Sequence, residues 1–503
     1  MKYHNPILKG FHPDPSICKV NNDFYLVTSS FQYFPGIPIY HSRDLVNWKQ
    51  IGNCINRPEQ LPMEKAKSSG GIWAPTIRYD EGIFYVTATF DGIGNFIISS
   101  KDPAKDWSDP VWVNFSGIDP SLFFEDGNAY YCANDYSTDQ KKDMEGISLV
   151  KIDIATGNVI GEIKRIWTGT GGGFIEAPHI YHIGPYYYIL TAEGGTSFNH
   201  MVTIGRSRNI WGPYENCPDN PILTNRNDNT KQIACTGHGD LFKDSEENWW
   251  MVHLGTRPVQ GMSSLGRETF LTPVTWKDFW PCVGINKKCR LEMEGPISSP
   301  QREPEKWDCD FTDQKMEMQW LFLRKPDRNR YFRAGGSLTL TASKESLKDP
   351  FGSPTFLAMR QMDAVFEAQA NCSICIAQEG NLAGITVYQS ETLFYRMGIM
   401  RENGDDILFV EKQVQDLDFI VYRKKLEQSV HHINLKITSD GLDYYFYYQY
   451  NGNEELLAQK GSCRLLSCEL AGKCFTGALI GFFAEGGSQN TTIKLSDFSC
   501  YPY

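Results

Sequence analysis

Three carboxylates stand in nearly the same setting at three distant places in the sequence. Asp14 lies in GFHPDPSI, Asp119 in SGIDPSLFF and Glu176 in GGFIEAPHI, so each has apolar neighbours and a proline close by. Asp and Glu seldom occupy apolar surroundings unless they are paired or functional. Hydrolysis of a glycosidic bond needs one protonated carboxyl and one carboxylate that attacks or activates water, and a third carboxylate can raise the pKa of the acid. Three carboxylates in register therefore favour this chemistry over three separate structural caps.

The prolines on both sides of Asp14 predict the local backbone. Proline fixes its own φ and biases the preceding residue towards extended geometry. We therefore expect Asp14 to lie on a stiff, extended segment that leads into a strand-like run over 16–28, with a break at 21–23. In this interpretation the carboxylate is held in one position.

The carboxylates belong to a longer repeat of five units. The matching positions are Asp14, Trp73, Asp119, Glu176 and His238, at spacings of 59, 46, 57 and 62 residues. Each is followed by an apolar run, a turn and a second apolar or aromatic run, which is the signal of a hairpin. A period of this length with about four short strands indicates a five-bladed β-propeller, whereas a β-helix or sandwich array has shorter repeats. Inner strands of a propeller start around one axis, so the five positions should converge.

The second half of the chain has a different pattern. Residues 296–306 are rich in proline and charge and form the predicted linker between a catalytic propeller over 1–295 and an accessory domain over 307–503. Most later segments alternate apolar and polar residues at period two, which predicts an antiparallel β-sandwich. The predicted fold class is therefore all-β.

The composition and net charge of the chain limit the classes of partner that it could bind. The chain has 503 residues, a net charge of −11 and a sequence pI near 5.5, which argues against nucleic acid and anionic membranes as partners. It has no apolar run long enough to span a bilayer, and its start has no apolar signal region. Fourteen cysteines follow no regular framework, so we expect free thiols and a cytoplasmic location.

Two kinds of side chain could bind a sugar beside these carboxylates. Phe31 and Trp73 lie next to predicted inner strands, and a flat ring suits the apolar face of a sugar; core packing is the alternative for each. Arg267, in LGRETFL, is predicted to head the last strand of the fifth unit. An inward-pointing Arg there could donate to sugar hydroxyls, although a surface ion pair is as good an interpretation.

The chain resembles glycoside hydrolase family 43 over essentially its whole length, in particular the two-domain β-xylosidases and α-L-arabinofuranosidases. The matching segments are NPILKGFHPDPSIC, FYLVTSSFQYFPGIPIYHSRDLVNW, GIWAPTIRY, GIDPSLFFEDG, EAPHIY, YILTAEGGT, TGHGDLF and LGRETFL. Each is weak alone, and together they are specific. The resemblance implies a five-bladed propeller followed by a concanavalin-like, jelly-roll sandwich.

The resemblance also implies a role for each matching residue. Asp14 corresponds to the general base that activates water, Glu176 to the general acid, and Asp119 to the carboxylate that orients Glu176 and tunes its pKa. His238 matches an axial histidine that often stands beside a water-coordinated cation, so a calcium ion on the axis is the one cofactor suggested, although the chemistry requires none. The remaining sugar-pocket positions are Phe31, Trp73, Thr196, Arg267 and, from a loop of the second domain, Phe475.

The implied activity is exo-acting, inverting hydrolysis of terminal pentoses from hemicellulose-derived (arabino)xylan oligosaccharides. IWAPTIRY, EAPHIY and the glycine run before Glu176 resemble members that act mainly on α-L-arabinofuranosyl groups, and β-D-xylosyl groups stay open as a second or sole substrate. Three alternatives also remain: a non-catalytic carbohydrate-binding propeller, a strict β-xylosidase, and a sugar phosphorylase or transferase. The sequence does not decide whether the protein forms a homo-oligomer.

Overall fold

The chain folds almost entirely into β-strands. The computed structural model describes residues 1–135, 145–302, 306–313, 316–427, 430–450, 452–472 and 475–502. Its helices are 3-10 turns at Met63–Lys65, Arg328–Arg330 and Cys463–Leu466 and a short α-helix at Cys468–Ala471. The expected all-β class is confirmed. Within these ranges, no helix has the length and apolarity that crossing a membrane requires.

The first half of the chain forms five antiparallel sheets of four strands each, which we number in chain order. Sheet 1 contains Ser16–Val20, Asp23–Val27, Gly36–Ser42 and Lys49–Ile55; sheet 2 contains Thr76–Asp80, Ile83–Phe90, Gly94–Ser100 and Val111–Val113; sheet 3 contains Ser121–Glu125, Asn128–Asp135, Gly146–Asp153 and Asn158–Trp167; sheet 4 contains Glu176–Ile183, Tyr186–Glu193, Met201–Ser207 and Glu215–Asn216; and sheet 5 contains Ala234–Lys243, Trp249–Thr256, Glu268–Lys277 and Trp280–Val283. Strand order within each sheet follows the chain, as successive hairpins require.

The first strands of the five sheets contact one another in a closed cycle. Each packs against the first strand of the next sheet, and that of sheet 5 packs against that of sheet 1. The two ends of this half are joined as well, because Lys2–His4 pairs with Glu292–Glu294. We call this arrangement the ring. It brings the starts of the five first strands, and the residues just before them, to one centre.

A buried polar cluster fastens the first strands together. Asp240 of sheet 5 accepts hydrogen bonds from Arg78 of sheet 2 at 2.9 Å, from Tyr181 of sheet 4 at 2.7 Å and from Ser16 of sheet 1 at 2.8 Å. Arg78 also bonds to Nδ1 of His179 at 2.8 Å. Because Asp240 is 1% exposed, this charge depends on its partners for stability.

The second half of the chain is built from two larger antiparallel sheets. One contains Tyr331–Arg333, Leu338–Thr341, Thr492–Pro502, Val365–Cys375, Val430–Asp440, Asp443–Tyr450 and Leu456–Ser462, with Trp307–Cys309 paired to Thr492–Pro502; the other contains Thr355–Arg360, Leu479–Glu485, Leu382–Ser390, Leu393–Glu402, Asp405–Val414 and Leu417–Leu426. Apolar side chains of both sheets, such as Ile374 and Ile385, form one buried cluster. This packing is that of a sandwich.

The sandwich and the ring are joined by strand pairing. Phe322–Leu323, which the sequence places in the sandwich domain, pairs with the short strand Tyr33–Phe34 of the ring. The next residue, Arg324, is fully buried, and its Nε donates to the Ala66 carbonyl at 2.7 Å. Every cysteine in the described ranges is a free thiol, as expected.

Asp240→Ala is expected to destabilise the protein by about 3–5 kcal/mol, because it leaves the Arg78 guanidinium, which is 16% exposed, without its carboxylate. Burial alone would raise the pKa of Asp240, but Arg78, His179 and Tyr181 lower it far below the usual value. The contribution is therefore present above about pH 4 and declines in stronger acid. Urea unfolding at several pH values measures it.

Glu292→Ala is the matched control for that measurement. Glu292 pairs with Lys2 at 2.7 Å on an exposed surface, where ion pairs contribute little. It should leave the unfolding midpoint unchanged. Equal midpoints for Asp240→Ala and the wild type would contradict the importance given to the central cluster.

Candidate active site

Asp14 lies just before the first strand of sheet 1, but not in the extended conformation predicted from its prolines. Its φ is 55°, in the left-handed region, which Asp tolerates better than most residues. Hydrogen bonds hold the backbone just before it: His12 N–H donates to the Arg267 carbonyl and Ser29 N–H to the Pro13 carbonyl. The chain turns at Asp14 to satisfy both.

The Asp14 carboxylate is buried at 3% exposure and fully engaged. Arg267 donates to both of its oxygens, at 2.8 and 3.3 Å, and the Ser29 hydroxyl donates at 2.6 Å. His238 Nδ1 lies 3.7 Å from Oδ1. Burial alone would raise the pKa of Asp14, but Arg267, His238 and Ser29 outweigh it and lower the pKa below its usual value. Asp14 is therefore an ionised carboxylate over the neutral range.

Asp119 and Glu176 form an acidic pair with the opposite tendency. Asp119 precedes the first strand of sheet 3 and is buried at 9% exposure, and Glu176 is the first residue of sheet 4 and is partly buried. Burial, followed by the negative charges of Glu176 and Asp14, raises the pKa of Asp119 well above its usual value. Two adjacent carboxyls in such surroundings retain a proton to a higher pH than a solvated carboxyl does.

Arg267 connects the ring to the sandwich at this point. The sequence pattern predicted that Arg267 heads the last strand of the fifth unit. It instead precedes Glu268–Lys277, the third strand of sheet 5, and Trp280–Val283 follows and forms the outer edge. Besides Asp14, the guanidinium bonds to the Thr196 hydroxyl at 3.1 Å and to the Phe475 carbonyl at 3.2 and 3.3 Å. It is 6% exposed, so it is not a surface ion pair.

Two aromatic side chains, Phe31 and Phe475, lie beside Arg267, and Trp73 packs against Phe475. The Phe475 ring centroid lies 5.8 Å from that of Phe31 and 6.2 Å from that of Trp73, nearly perpendicular to the latter. The Arg267 guanidinium lies 5.2 Å from the Phe475 centroid and 5.6 Å from that of Phe31. Phe31 is buried, whereas Trp73 is partly exposed and its indole N–H donates to the Ser69 carbonyl. The predicted sugar-pocket residues thus lie together beside Asp14.

His238 lies in this cluster, but the side chains around it do not form a direct calcium site. Ca²⁺ takes six to eight oxygen ligands, whereas the neighbouring carboxylate, Asp14, is already paired with Arg267. In the described part of the chain, no three His, Cys, Asp or Glu side chains are arranged to bind a metal. Burial lowers the pKa of His238, so its imidazole is neutral. A cation held there through water stays a prediction.

Two residues that support the site, Ser29 and Glu193, were not predicted from the sequence. Ser29, which holds Asp14, follows the second strand of sheet 1 and has no distinctive motif. Glu193 is buried at 1% exposure and accepts hydrogen bonds from the loop that precedes Glu176. A carboxylate within the apolar run YILTAE is the signal that could have identified Glu193.

Comparison with known proteins assigns both halves of the chain. The model of glycosyl hydrolases family 43 matches residues 3–281, and that of the beta xylosidase C-terminal concanavalin A-like domain matches 308–503. A non-reducing end α-L-arabinofuranosidase of Bacteroides ovatus is 38% identical over 100% of this chain and 94% of its own. A β-xylosidase of Bacillus subtilis is 34% identical, over 97% of each chain.

Solved structures agree with these matches. A Bacteroides ovatus structure described as GH43B of a xyloglucan PUL superposes with a TM-score of 0.94 at 36% identity, with full coverage of both chains. The xylan β-1,4-xylosidase of Bacillus halodurans gives 0.91 at 28% identity, over 99% of this chain and 100% of its own. With the carboxylates, the aromatic pocket and both domains accounted for, this chain belongs to glycosyl hydrolases family 43.

Proposed function

We propose that this protein is an exo-acting, inverting glycosidase that releases terminal α-L-arabinofuranosyl or β-D-xylosyl residues from (arabino)xylan oligosaccharides. The observation that carries the proposal is the division of proton affinity within one site. Arg267 and Ser29 lower the pKa of Asp14, whereas burial and the nearby charge of Glu176 raise the pKa of Asp119. One carboxylate thus favours the ionised form of a base, and the acidic pair holds a proton more strongly, as inverting hydrolysis requires. The names of the relatives support both pentoses.

Each carboxylate then has one role. Asp14 takes a proton from the attacking water, and Arg267 and Ser29 keep Asp14 ionised and in place. Glu176 protonates the glycosidic oxygen as the bond to the anomeric carbon breaks, and Asp119 favours the protonated form of Glu176 and orients it. Phe31, Trp73, Thr196, His238 and Phe475 surround the sugar ring. A purely sugar-binding protein would not need this separation of an acid from a base.

Strand contacts and strand bounds support a division of the chain into two domains. We infer that the five sheets are the blades of a five-bladed β-propeller over 1–295, since their first strands contact in a closed cycle. The segment 296–306 is the linker and 307–503 the accessory sandwich. Support comes from the strand bounds, which end at Glu294 and resume at Trp307.

Product analysis tests the activity. Arabinoxylan and xylo-oligosaccharides should release free pentose, and ¹H NMR of the first-formed anomer should show inversion, because a water molecule lies between Asp14 and the sugar. The ratio of arabinose to xylose distinguishes a dual enzyme from a strict β-xylosidase. Retained configuration would contradict the role of Asp14, phosphate-dependent turnover would favour a phosphorylase, and binding without any release would favour a sugar-binding protein.

Replacing the acid and the base should have different consequences. Glu176→Ala should keep much of its rate on 4-nitrophenyl pentosides, whose leaving group departs without a proton, and lose on the order of 10²-fold or more on oligosaccharides. Asp14→Ala should lose that factor on both, because water activation fails in either case. Steady-state kinetics with the two substrate classes measure this. Equal losses for Glu176→Ala on both classes would contradict its role as the acid.

Ser29→Ala should move the acidic limb of the kcat/KM profile to higher pH by about one unit. The Ser29 hydroxyl stabilises ionised Asp14, so its removal raises the pKa of the base and leaves less of the active form in acid. Thr28→Val is the control, because the neighbouring Thr28 hydroxyl is buried without a hydrogen-bond partner. The control should leave the limb in place; a shift of equal size in both variants would argue against a specific effect on Asp14.

A further inference from the structure

Phe174, two residues before Glu176, is an unusual residue for its position. Its side chain is 57% exposed, and its φ of 51° lies in the left-handed region, which bulky residues rarely adopt. The ring rests against Gly195, where a Cβ atom would lie 3.4 Å from Cδ2 of Phe174. Burial in a core therefore does not explain this aromatic side chain.

Hydrogen bonds with Glu193 and Gly194 hold the loop that carries Phe174. The Glu193 carboxylate accepts hydrogen bonds from the Thr170 and Gly172 N–H groups at 2.9 and 2.8 Å and from the Thr170 hydroxyl at 3.0 Å. Gly194 N–H donates to the Gly173 carbonyl at 2.8 Å. An exposed ring on a fixed backbone is a pre-organised contact surface, since little freedom is lost when a ligand binds.

The position of Phe174 relative to the carboxylates identifies what it could contact. Exposure increases from Asp14 at 3% to the partly buried Glu176 and then to Phe174 at 57%, so Phe174 is the most accessible of the three side chains to solvent. A general acid must reach the glycosidic oxygen, and that oxygen departs with the leaving group. A sugar that lies on the solvent side of Glu176 is therefore the leaving group, bonded to this oxygen on the side away from the anomeric carbon.

We propose that Phe174 is the stacking platform for the leaving-group sugar of the oligosaccharide, and hence a determinant of substrate choice. The apolar face of a pyranose ring would lie on the Phe174 ring while Glu176 protonates the oxygen between the two sugars. This inference rests on the proposed glycosidase function. It adds a binding position for the second sugar, outside the pocket formed by Trp73, Phe475 and their neighbours.

A groove that Trp73 helps to line is the competing position for this sugar. It is lined by Phe90–Gly94 and Asn114–Ile118, and Ile93 on its rim is 46% exposed. We favour Phe174 because it lies two residues from Glu176 on a fixed loop and offers a flat ring. Ile93→Ala therefore belongs in the same experiment.

The test compares two substrates that differ only in the leaving group: a pentosyl-xylose disaccharide and the methyl glycoside of the same pentose. Both release an oxygen that needs a proton, but methanol has no ring to stack. Phe174→Ala should lower kcat/KM on the disaccharide about fivefold and leave the methyl glycoside within about twofold, and Phe174→Trp should restore the disaccharide rate. Thermal melting confirms that each variant is folded.

Phe198→Ala is the matched control, because Phe198 is 60% exposed and lies beyond Thr196 on the neighbouring loop. It should change neither rate. The proposal is overturned if Phe174→Ala lowers both rates equally, which would mean that it acts through Glu176, or if it lowers neither. It is also overturned if Ile93→Ala or Phe198→Ala shows the selective loss instead. Absence of wild-type turnover on both substrates would refute the proposed function itself.

Discussion

The ion pair between Arg267 and Asp14 is the constraint on which the site depends. A guanidinium offers five N–H donors in a rigid plane, so its partners must meet it at fixed angles. These partners are Asp14, just before sheet 1, Thr196, in the loop between the second and third strands of sheet 4, and the Phe475 carbonyl of the sandwich. The side chain that fixes the carboxylate thus also fixes how the two domains meet.

The same pair sets the electrostatics of the pocket. The positive charge of Arg267 lies beside Asp14. Asp119 and Glu176, in contrast, each lie close to the negative charge of the other. Chemically similar carboxyls therefore differ in proton affinity because of their neighbours, and burial strengthens the difference. The three carboxyls have different neighbours because the fold places each one at or just before the start of a first strand in a different sheet.

Repetition in the sequence was sufficient to predict the sheets and the convergence of their leading residues, because hairpin patterns are local and a repeat places equivalent residues equivalently. Local rules failed where distant partners decide the geometry. The prolines around Asp14 predict an extended backbone, but hydrogen bonds of His12 with Arg267 and of Pro13 with Ser29 hold a left-handed turn. Ser29 and Phe174 carry no motif, since their importance arises only from what the fold places beside them. Likewise, the pairing of Phe322–Leu323 with Tyr33–Phe34 joins segments almost three hundred residues apart, beyond the reach of any local pattern.

The contact between Arg267 and Phe475 also orders events during synthesis. The two residues are 208 positions apart, and the ring precedes the sandwich in the chain. At about 5–20 residues per second, roughly 10–40 s pass between translation of Arg267 and translation of Phe475. Throughout that interval a nascent ring already has its three carboxylates but not the aromatic side chain that packs against Phe31 and Trp73. Completion of the pocket thus waits for translation of the sandwich, and a product that terminates before Phe475 would lack this part of the site.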